Sequence, residues 1–233
     1  MTAELFRALH HGGTPLILAN AWDPVSARII AEAGFPAVAT SSGAVARVLG
    51  YDDGQQTPAA MMFAAVARIV RAVDVPVTAD LEAGYHLPPK EFVDRALETG
   101  AVGCSLEDSV NGRLVDVAEQ ADYLAEVRAA AGADLVINAR VDVFLCGGTA
   151  EDAIARGRAY RRAGADCVYP ILAPAPELTE VAHAVGGPIN AHASPDGPSA
   201  ADLAMAGATR ITYGTSLHTY LNDRLRELLP TLG

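Results

Sequence analysis

The chain has 233 residues, 51% hydrophobic and 19% charged, enough to bury one large core. A formal net charge of -11 argues against nucleic acid or an anionic membrane surface as partner, because both reward basic patches. Cys104, Cys146 and Cys167 are odd in number and lack metal-type spacing, and the N-terminus lacks the apolar stretch of a signal peptide; both features predict a reduced, cytoplasmic setting.

Short strand-like runs alternate with helical patterns from end to end. Residues 16–20 (LILAN) read as the first strand and 24–33 as the first helix. The second strand, 37–41 (AVATS), is followed by a long loop over 42–57 and a helix over 58–72. The third, 76–82 (PVTADLE), leads to a helix over 89–99; Pro58 and Pro89 suit first-turn positions, where a missing N–H costs nothing. The fourth, 102–107 (VGCSLE), opens a second long loop over 108–116 before a helix over 117–131. Strands over 135–141 (LVINARV), 167–171 (CVYPI), 188–192 (PINAH) and 210–214 (RITYG) then alternate with helices over 150–163, 175–185, 199–206 and 215–229. No run is long enough to span a bilayer.

The phrase Ala-Gly-apolar recurs at Ala33-Gly34-Phe35, Ala163-Gly164-Ala165 and Ala206-Gly207-Ala208, where helices turn back into strands. Eight βα units predict an α/β fold of the (β/α)8 TIM-barrel type, a single domain over residues 1–233. The first strand-to-helix connection lacks the Gly-x-Gly-x-x-Gly loop of a dinucleotide fold. Both long loops follow strand C-termini, the end of a barrel where active sites lie.

That end is rich in charge. Asp80 and Glu82 close the third strand and Glu107 the fourth, while Asp53 lies in the loop after the second. Charges are rarely buried without partners, so repeated strand-end carboxylates point to a shared cation. Alternation along a strand puts Asp80 and Glu82 on one side, and Glu107 can join them as a metal site. An all-oxygen donor set suits Mg²⁺ or Mn²⁺. The plainer alternative has these acids pairing with nearby Arg or Lys, or capping helices. Arg140, with Asn138 and Asp142 on its own face, offers a planar donor fork for a substrate carboxylate; its alternative is an ion pair with Glu107 or Asp142. Ser41, Ser42 and Gly43 offer hydroxyls and backbone N–H groups for an anionic oxygen.

These segments carry a resemblance. Asn20-Ala-Trp22-Asp23-Pro-Val-Ser-Ala-Arg28, Ser41-Ser42-Gly43, Leu49-Gly50-Tyr-Asp52-Asp53-Gly54, Asp80-Leu-Glu82-Ala-Gly84-Tyr85, Leu106-Glu107-Asp108 and Asn138-Ala-Arg140-Val-Asp142 are similar, in order and spacing over about residues 15–170, to the isocitrate lyase/phosphoenolpyruvate phosphonomutase superfamily. The resemblance implies a Mg²⁺-dependent barrel acting on a small 2-oxo acid or dicarboxylate through its enolate. It implies Asp80 as the principal metal ligand, with Glu82 and Glu107 beside it, and Asp53 as a loop acid near metal and substrate. Arg140 and the Ser41–Gly43 turn would contact substrate oxygens, Trp22 would line the pocket floor and Asn190 would face the substrate. It further implies a homodimer or homotetramer that exchanges a C-terminal helix.

Departures narrow the reading. Lyases of the superfamily carry a Lys-Lys-Cys-Gly-His loop after the fourth strand; here the stretch is Asp108-Ser-Val-Asn111-Gly112-Arg113-Leu114. Cys104 lies inside a strand and reads as core. Ile171 stands where lyases have glutamate and phosphonate enzymes a histidine, leaving Asn111, Arg113 and His192 as substitutes of undetermined role. The leading expectation is therefore carbon–carbon cleavage of a small 2-oxo dicarboxylate, of the oxaloacetate hydrolase or lyase kind. The alternatives are phosphonopyruvate-type P–C chemistry and a barrel that binds 2-oxo acids without turnover, since a short 108–116 loop would exclude water poorly.

Overall fold

Runs of small and β-branched residues bounded by turn formers produce the strands, and the helices between them begin at Thr, Asp, Ser or Pro. The computed structural model describes residues 2–232. In chain order the elements are α1 (Ala3–Leu9), β1 (Leu16–Leu18), β2 (Asn20–Ala21), α2 (Pro24–Glu32), β3 (Val38–Thr40), α3 (Ser42–Leu49), α4 (Ala59–Val70), β4 (Val77–Asp80) and α5 (Pro89–Glu98). There follow β5 (Gly103–Glu107), β6 (Ser109–Val110), β7 (Arg113–Leu114), α6 (Val117–Ala131), β8 (Val136–Val141), α7 (Ala150–Arg162), β9 (Cys167–Pro170), α8 (Ala175–Val185), β10 (Asn190–His192), α9 (Ala200–Met205), β11 (Arg210–Thr212) and α10 (Ser216–Leu228).

The strands pair in parallel in the orders β2-β3-β4-β5-β8-β9 and β1-β11-β10. The segment from Leu16 to Ala21 belongs to both sheets, with β1 on β11 and β2 on β3. A parallel bridge between Val168 and Ile189 joins β9 to β10 at the other seam. The ring is the (β/α)8 barrel that the alternation predicts. Its lower end is plugged by α1: Phe6 is fully buried among Leu16, Leu18, Ala39, Val102 and Val136. Burying such a phenyl ring contributes about 1.5–3 kcal/mol.

Four details differ from the sequence reading, each with a local cause. The helix α1 lies ahead of the first predicted strand, too short for periodicity to reveal. Within the predicted 42–57 loop, Ser42–Leu49 is helical, started by the Ser41 hydroxyl accepting from Ala44 N and stopped by Gly50 at φ 86. The predicted strand 76–82 ends at Asp80, because the chain turns at Glu82 with φ 51. The 108–116 segment is a hairpin of β6 and β7 whose turn, Asn111-Gly112, takes φ 52 and 71, the combination that a two-residue hairpin turn requires.

One helix stands apart. No residue of α10 is buried, and Leu221, Leu225 and Leu228 are each about half exposed along it. Among the described residues, no helix is long and apolar enough to cross a membrane.

Candidate active site

The C-terminal ends of the strands open onto a cavity of about 370 Å³. On one side it is walled by Ser42, Asp53, Asp80 and Arg140. The first turn of α3 positions the acid: Ser42 donates from its backbone N and its hydroxyl to Asp80 Oδ2, at 3.0 and 2.7 Å. The partial positive charge of a helix N-terminus adds to these bonds. Asp80 N in turn donates to Thr40 Oγ1 at 2.9 Å, fixing the strand end. Among the described residues, Oδ1 of Asp80 has no protein hydrogen-bond partner. Gly43 lets Asp53 come close, since a Cβ there would lie 2.3 Å from Asp53 Oδ2.

Arg140 is held by its neighbours. Its Nε and a terminal nitrogen donate to Asp142 at 2.6 and 2.9 Å, and the other terminal nitrogen contacts Glu107 at 2.5 Å. The ion pairs considered as the alternative are thus both present. A guanidinium has five N–H donors, so these contacts leave two for a ligand. Asp142 is clamped in turn: Ser109 donates to it at 2.6 Å, and its own N–H donates to Asp108 at 2.8 Å. Asp108, fully buried, also accepts from Tyr160 at 2.7 Å and Arg156 at 3.0 Å. Arg156 further donates to Val115 O at 2.9 Å, so the β6–β7 hairpin is tied to the barrel through this network.

The other predicted residues divide. Asn190 lines the cavity and donates to Thr212 Oγ1 at 3.0 Å. Ser41 lines it too, its hydroxyl accepting from Ala44 N in the α3 cap while its own proton stays available to donate. The expected trio of Asp80, Glu82 and Glu107 does not form: among the described residues no three acids, histidines or cysteines make a metal-binding group. The turn at Glu82 takes its carboxylate to Tyr85, whose hydroxyl donates at 2.7 Å, and to the backbone N of Gln55. Glu107 is drawn to Arg140. Trp22 is absent from the cavity wall, and its ring packs edge-on against His218 of α10, with centroids 5.1 Å apart.

Sequence reasoning left several cavity residues unassigned. Asn20, Thr40, Tyr169, Thr212 and Arg210 line it, together with His192 and Ile171. A signal existed: Asn138 and Arg140, Tyr169 and Ile171, Asn190 and His192, and Arg210 and Thr212 are pairs at strand spacing that share one face.

The family model of phosphoenolpyruvate phosphomutase matches residues 6–231. The chain belongs to the isocitrate lyase/phosphoenolpyruvate mutase superfamily. An uncharacterized protein of Mycobacterium tuberculosis strain H37Rv is 32% identical over 213 residues, covering 90% of this chain and 81% of that protein. The 2-methylisocitrate lyase of Bacillus subtilis is 30% identical over 179 residues, covering 72% of this chain and 59% of the lyase. The crystal structure of a putative phosphonomutase from Burkholderia cenocepacia J2315 superposes with a TM-score of 0.91 at 39% identity, covering 98% of this chain and 99% of that one.

Superfamily members generally use Mg²⁺, and the charge in this cavity fits such a cation. Burial raises the pKa of Asp80, Glu82 and Glu107, and the acids raise one another's further. Glu82 reaches about 7, with burial the main cause and Asp80 and Asp53 adding to it. Glu107 is raised by burial and by Asp142, Asp80 and Glu82 despite its contact with Arg140. Burial alone would lower the Arg140 pKa, but Glu107 and Asp142 hold it above its ordinary value. Mg²⁺ commonly binds through one or two carboxylates and several waters, and Asp80 with its unpartnered Oδ1 suffices as such an anchor.

Proposed function

We propose that this protein is a Mg²⁺-dependent enzyme that binds a small 2-oxo acid and cleaves the carbon–carbon bond beside its carbonyl through an enolate. The reading is of the oxaloacetate hydrolase or lyase kind. One observation carries it: Asp80, oriented by the α3 N-terminus, shares a single cavity with Asp53 and the two remaining donors of Arg140. Asp80 would hold the cation, with Asp53 on the same cavity wall, while Glu82 and Glu107 stand behind that wall, bonded to Tyr85 and Arg140. When bound, Mg²⁺ supplies Lewis-acid polarisation of a carbonyl oxygen.

The protein's own groups do the remaining work. The free N–H groups of Arg140 orient the substrate carboxylate, and Gly43 N adds a donor at the same end. These fixed donors stabilise charge that develops on oxygen as the bond breaks. Asp53 is placed to orient an attacking water or a substrate hydroxyl. Across the cavity stand Ile171, Leu145 and Leu172 with Tyr169 and His192. Burial, helped by Arg140, lowers the His192 pKa and favours its neutral form. A neutral wall suits a small carbon fragment better than a doubly charged phosphonyl group, which favours C–C over P–C cleavage. The apolar stripe of α10 supports association into a dimer or tetramer of this chain.

The test is turnover with Mg²⁺ across oxaloacetate, 2-methylisocitrate and phosphonopyruvate, reading pyruvate, oxalate, glyoxylate and phosphate. Oxalate or pyruvate from a carbon substrate, lost in Asp80→Ala, is the expected result. Turnover of phosphonopyruvate alone would overturn the C–C assignment, and Mg²⁺-dependent ligand binding unchanged in Asp80→Ala would overturn the metal anchor.

A further inference from the structure

The neutral side of the cavity contains a hydrogen-bonded chain that the acid side does not use. The Tyr169 hydroxyl, on β9, lies 3.1 Å from Nδ1 of His192 on β10. The opposite ring nitrogen, Nε2, lies 3.2 Å from Ser216 Oγ in the first turn of α10. Ser216 is half-buried, so the chain runs from the barrel interior toward solvent. On the inner side Thr212 lines the same cavity, and its Oγ1 donates to Asn190 Oδ1 at 3.2 Å.

The imidazole is held in place. Gly214 packs beside it, and a Cβ there would lie 3.2 Å from His192 Cε1. Hydroxyl, imidazole and hydroxyl in sequence can each donate on one side while accepting on the other. In register, Tyr169 is paired with Arg140 across β8 and β9, so both line the same stretch of the cavity.

Cleavage beside a 2-oxo acid's carbonyl leaves an enolate whose carbon must gain a proton before release. We propose that Tyr169 delivers that proton and is recharged from solvent through His192 and Ser216. The inference rests on the 2-oxo acid reading given above. The O–H bond of Tyr169 breaks as a C–H bond forms at the enolate carbon, and the enolate electrons move in to make that bond as the carbonyl is restored. The phenolate then takes the proton on His192 Nδ1, while Nε2 takes one from Ser216, which regains its own from water. No oxidant or reductant is consumed. Burial holds the Tyr169 pKa up at about 12, so the phenol stays protonated at rest, and nearby Arg140 favours the transient phenolate. Tyr169 is the catalytic residue here; His192 and Ser216 are positioning residues that act through it.

The step runs in both directions, so it can be read on pyruvate without knowing the physiological substrate. The full-length protein with Mg²⁺ is incubated with pyruvate in D₂O, and loss of the methyl signal is followed by proton NMR. Oxalate binding by calorimetry runs alongside. The wild type exchanges the methyl protons; Tyr169→Phe binds oxalate but exchanges about 100-fold more slowly, in line with loss of a general acid. His192→Ala is slowed by about tenfold and added imidazole restores it, a rescue that a purely structural role would not show. Wild-type exchange rates in Tyr169→Phe overturn the relay and leave the 2-oxo acid reading standing. Should Tyr169→Phe lose oxalate binding as well, His192→Ala decides, and normal exchange in it overturns the relay. A wild type that binds oxalate without exchanging pyruvate overturns the relay alone, whereas one that does neither overturns the reading beneath it.

Discussion

Acid will loosen the barrel at its base, through His10. This residue follows α1, with Nδ1 3.0 Å from Phe6 O and Nε2 3.4 Å from a terminal nitrogen of Arg210. Arg210 is 2% exposed and lies over the Phe6 ring at 5.9 Å. No carboxylate among the described residues is within ion-pair distance of it. The neutral imidazole fits both neighbours: Nδ1–H donates to the carbonyl, and Nε2 accepts from the guanidinium. Protonation would set a second buried cation against the first. Burial first, and Arg210 second, therefore lower the His10 pKa from 6.5 to about 4.

Between those two values the unfolded chain binds a proton that the folded one refuses. The stabilisation is complete above pH 6.5 and is lost as the pH falls through about 4. A gap of 2.5 pK units corresponds to about 3 kcal/mol, of which about 2 kcal/mol is already gone at pH 5. The raised carboxyl groups of Asp80, Glu82, Glu107 and Asp108 act in the opposite sense, gaining stability on acidification, so a single pH profile mixes the two. Comparison with His10→Gln isolates the histidine. Urea unfolding of both proteins at pH 7.5 and pH 5 is expected to show the wild type losing about 2 kcal/mol relative to the variant. A difference between the two that does not change with pH would refute the argument.

Other expectations follow from single contacts. Gly43→Ala puts a methyl 2.3 Å from Asp53 Oδ2 and 2.9 Å from Thr215 Cγ2; far-UV circular dichroism is expected to be preserved while turnover falls about 10²-fold, and unchanged turnover would show that Asp53 need not sit there. Arg156→Met removes a cation from fully buried Asp108 and frees the β6–β7 hairpin; a loss of about 3 kcal/mol by urea unfolding is expected, and less than 0.5 kcal/mol would mean that Tyr160 and the Asp142 N–H satisfy the acid without it. Leu221→Glu with Leu225→Glu places charges on the exposed α10 stripe, and light scattering is expected to show a smaller assembly than the wild type. An unchanged mass would place the association elsewhere.

Much of the architecture could be read from local rules. Glycine after most helices and apolar runs of strand length located all eight barrel strands, because a (β/α)8 fold repeats the same local problem. The breaks in that reading come where a tertiary contact overrides a local preference. Nothing in Leu81-Glu82-Ala83 marks a turn at Glu82; the left-handed backbone there is held by Tyr85, Gln55 and the neighbouring strand. Ser42–Leu49 looked like loop because its eight residues begin with Ser-Gly, yet a hydroxyl cap and five consecutive buried residues make it a helix. That short helix matters more to the site than any strand, since it aims Ser42 at Asp80.

The two sides of the cavity were unequally legible for an electrostatic reason. Carboxylates and an arginine at strand ends are conspicuous, because a buried charge demands an explanation wherever it falls. Tyr169 demanded none: in Cys167-Val-Tyr-Pro-Ile a tyrosine reads as an ordinary β-former, and its hydroxyl has meaning only once β10 brings His192 within 3.1 Å. His192 was visible but uninterpretable for the same reason, since both its partners lie more than twenty residues away along the chain. Neutral hydrogen-bonding groups leave no trace in charge or hydropathy patterns, so a site built from them is specified by topology alone. The acid side suggests an anion and a cation from charge alone, whereas under the proposed reaction the choice of bond and of proton donor would fall to the side that only the folded barrel assembles.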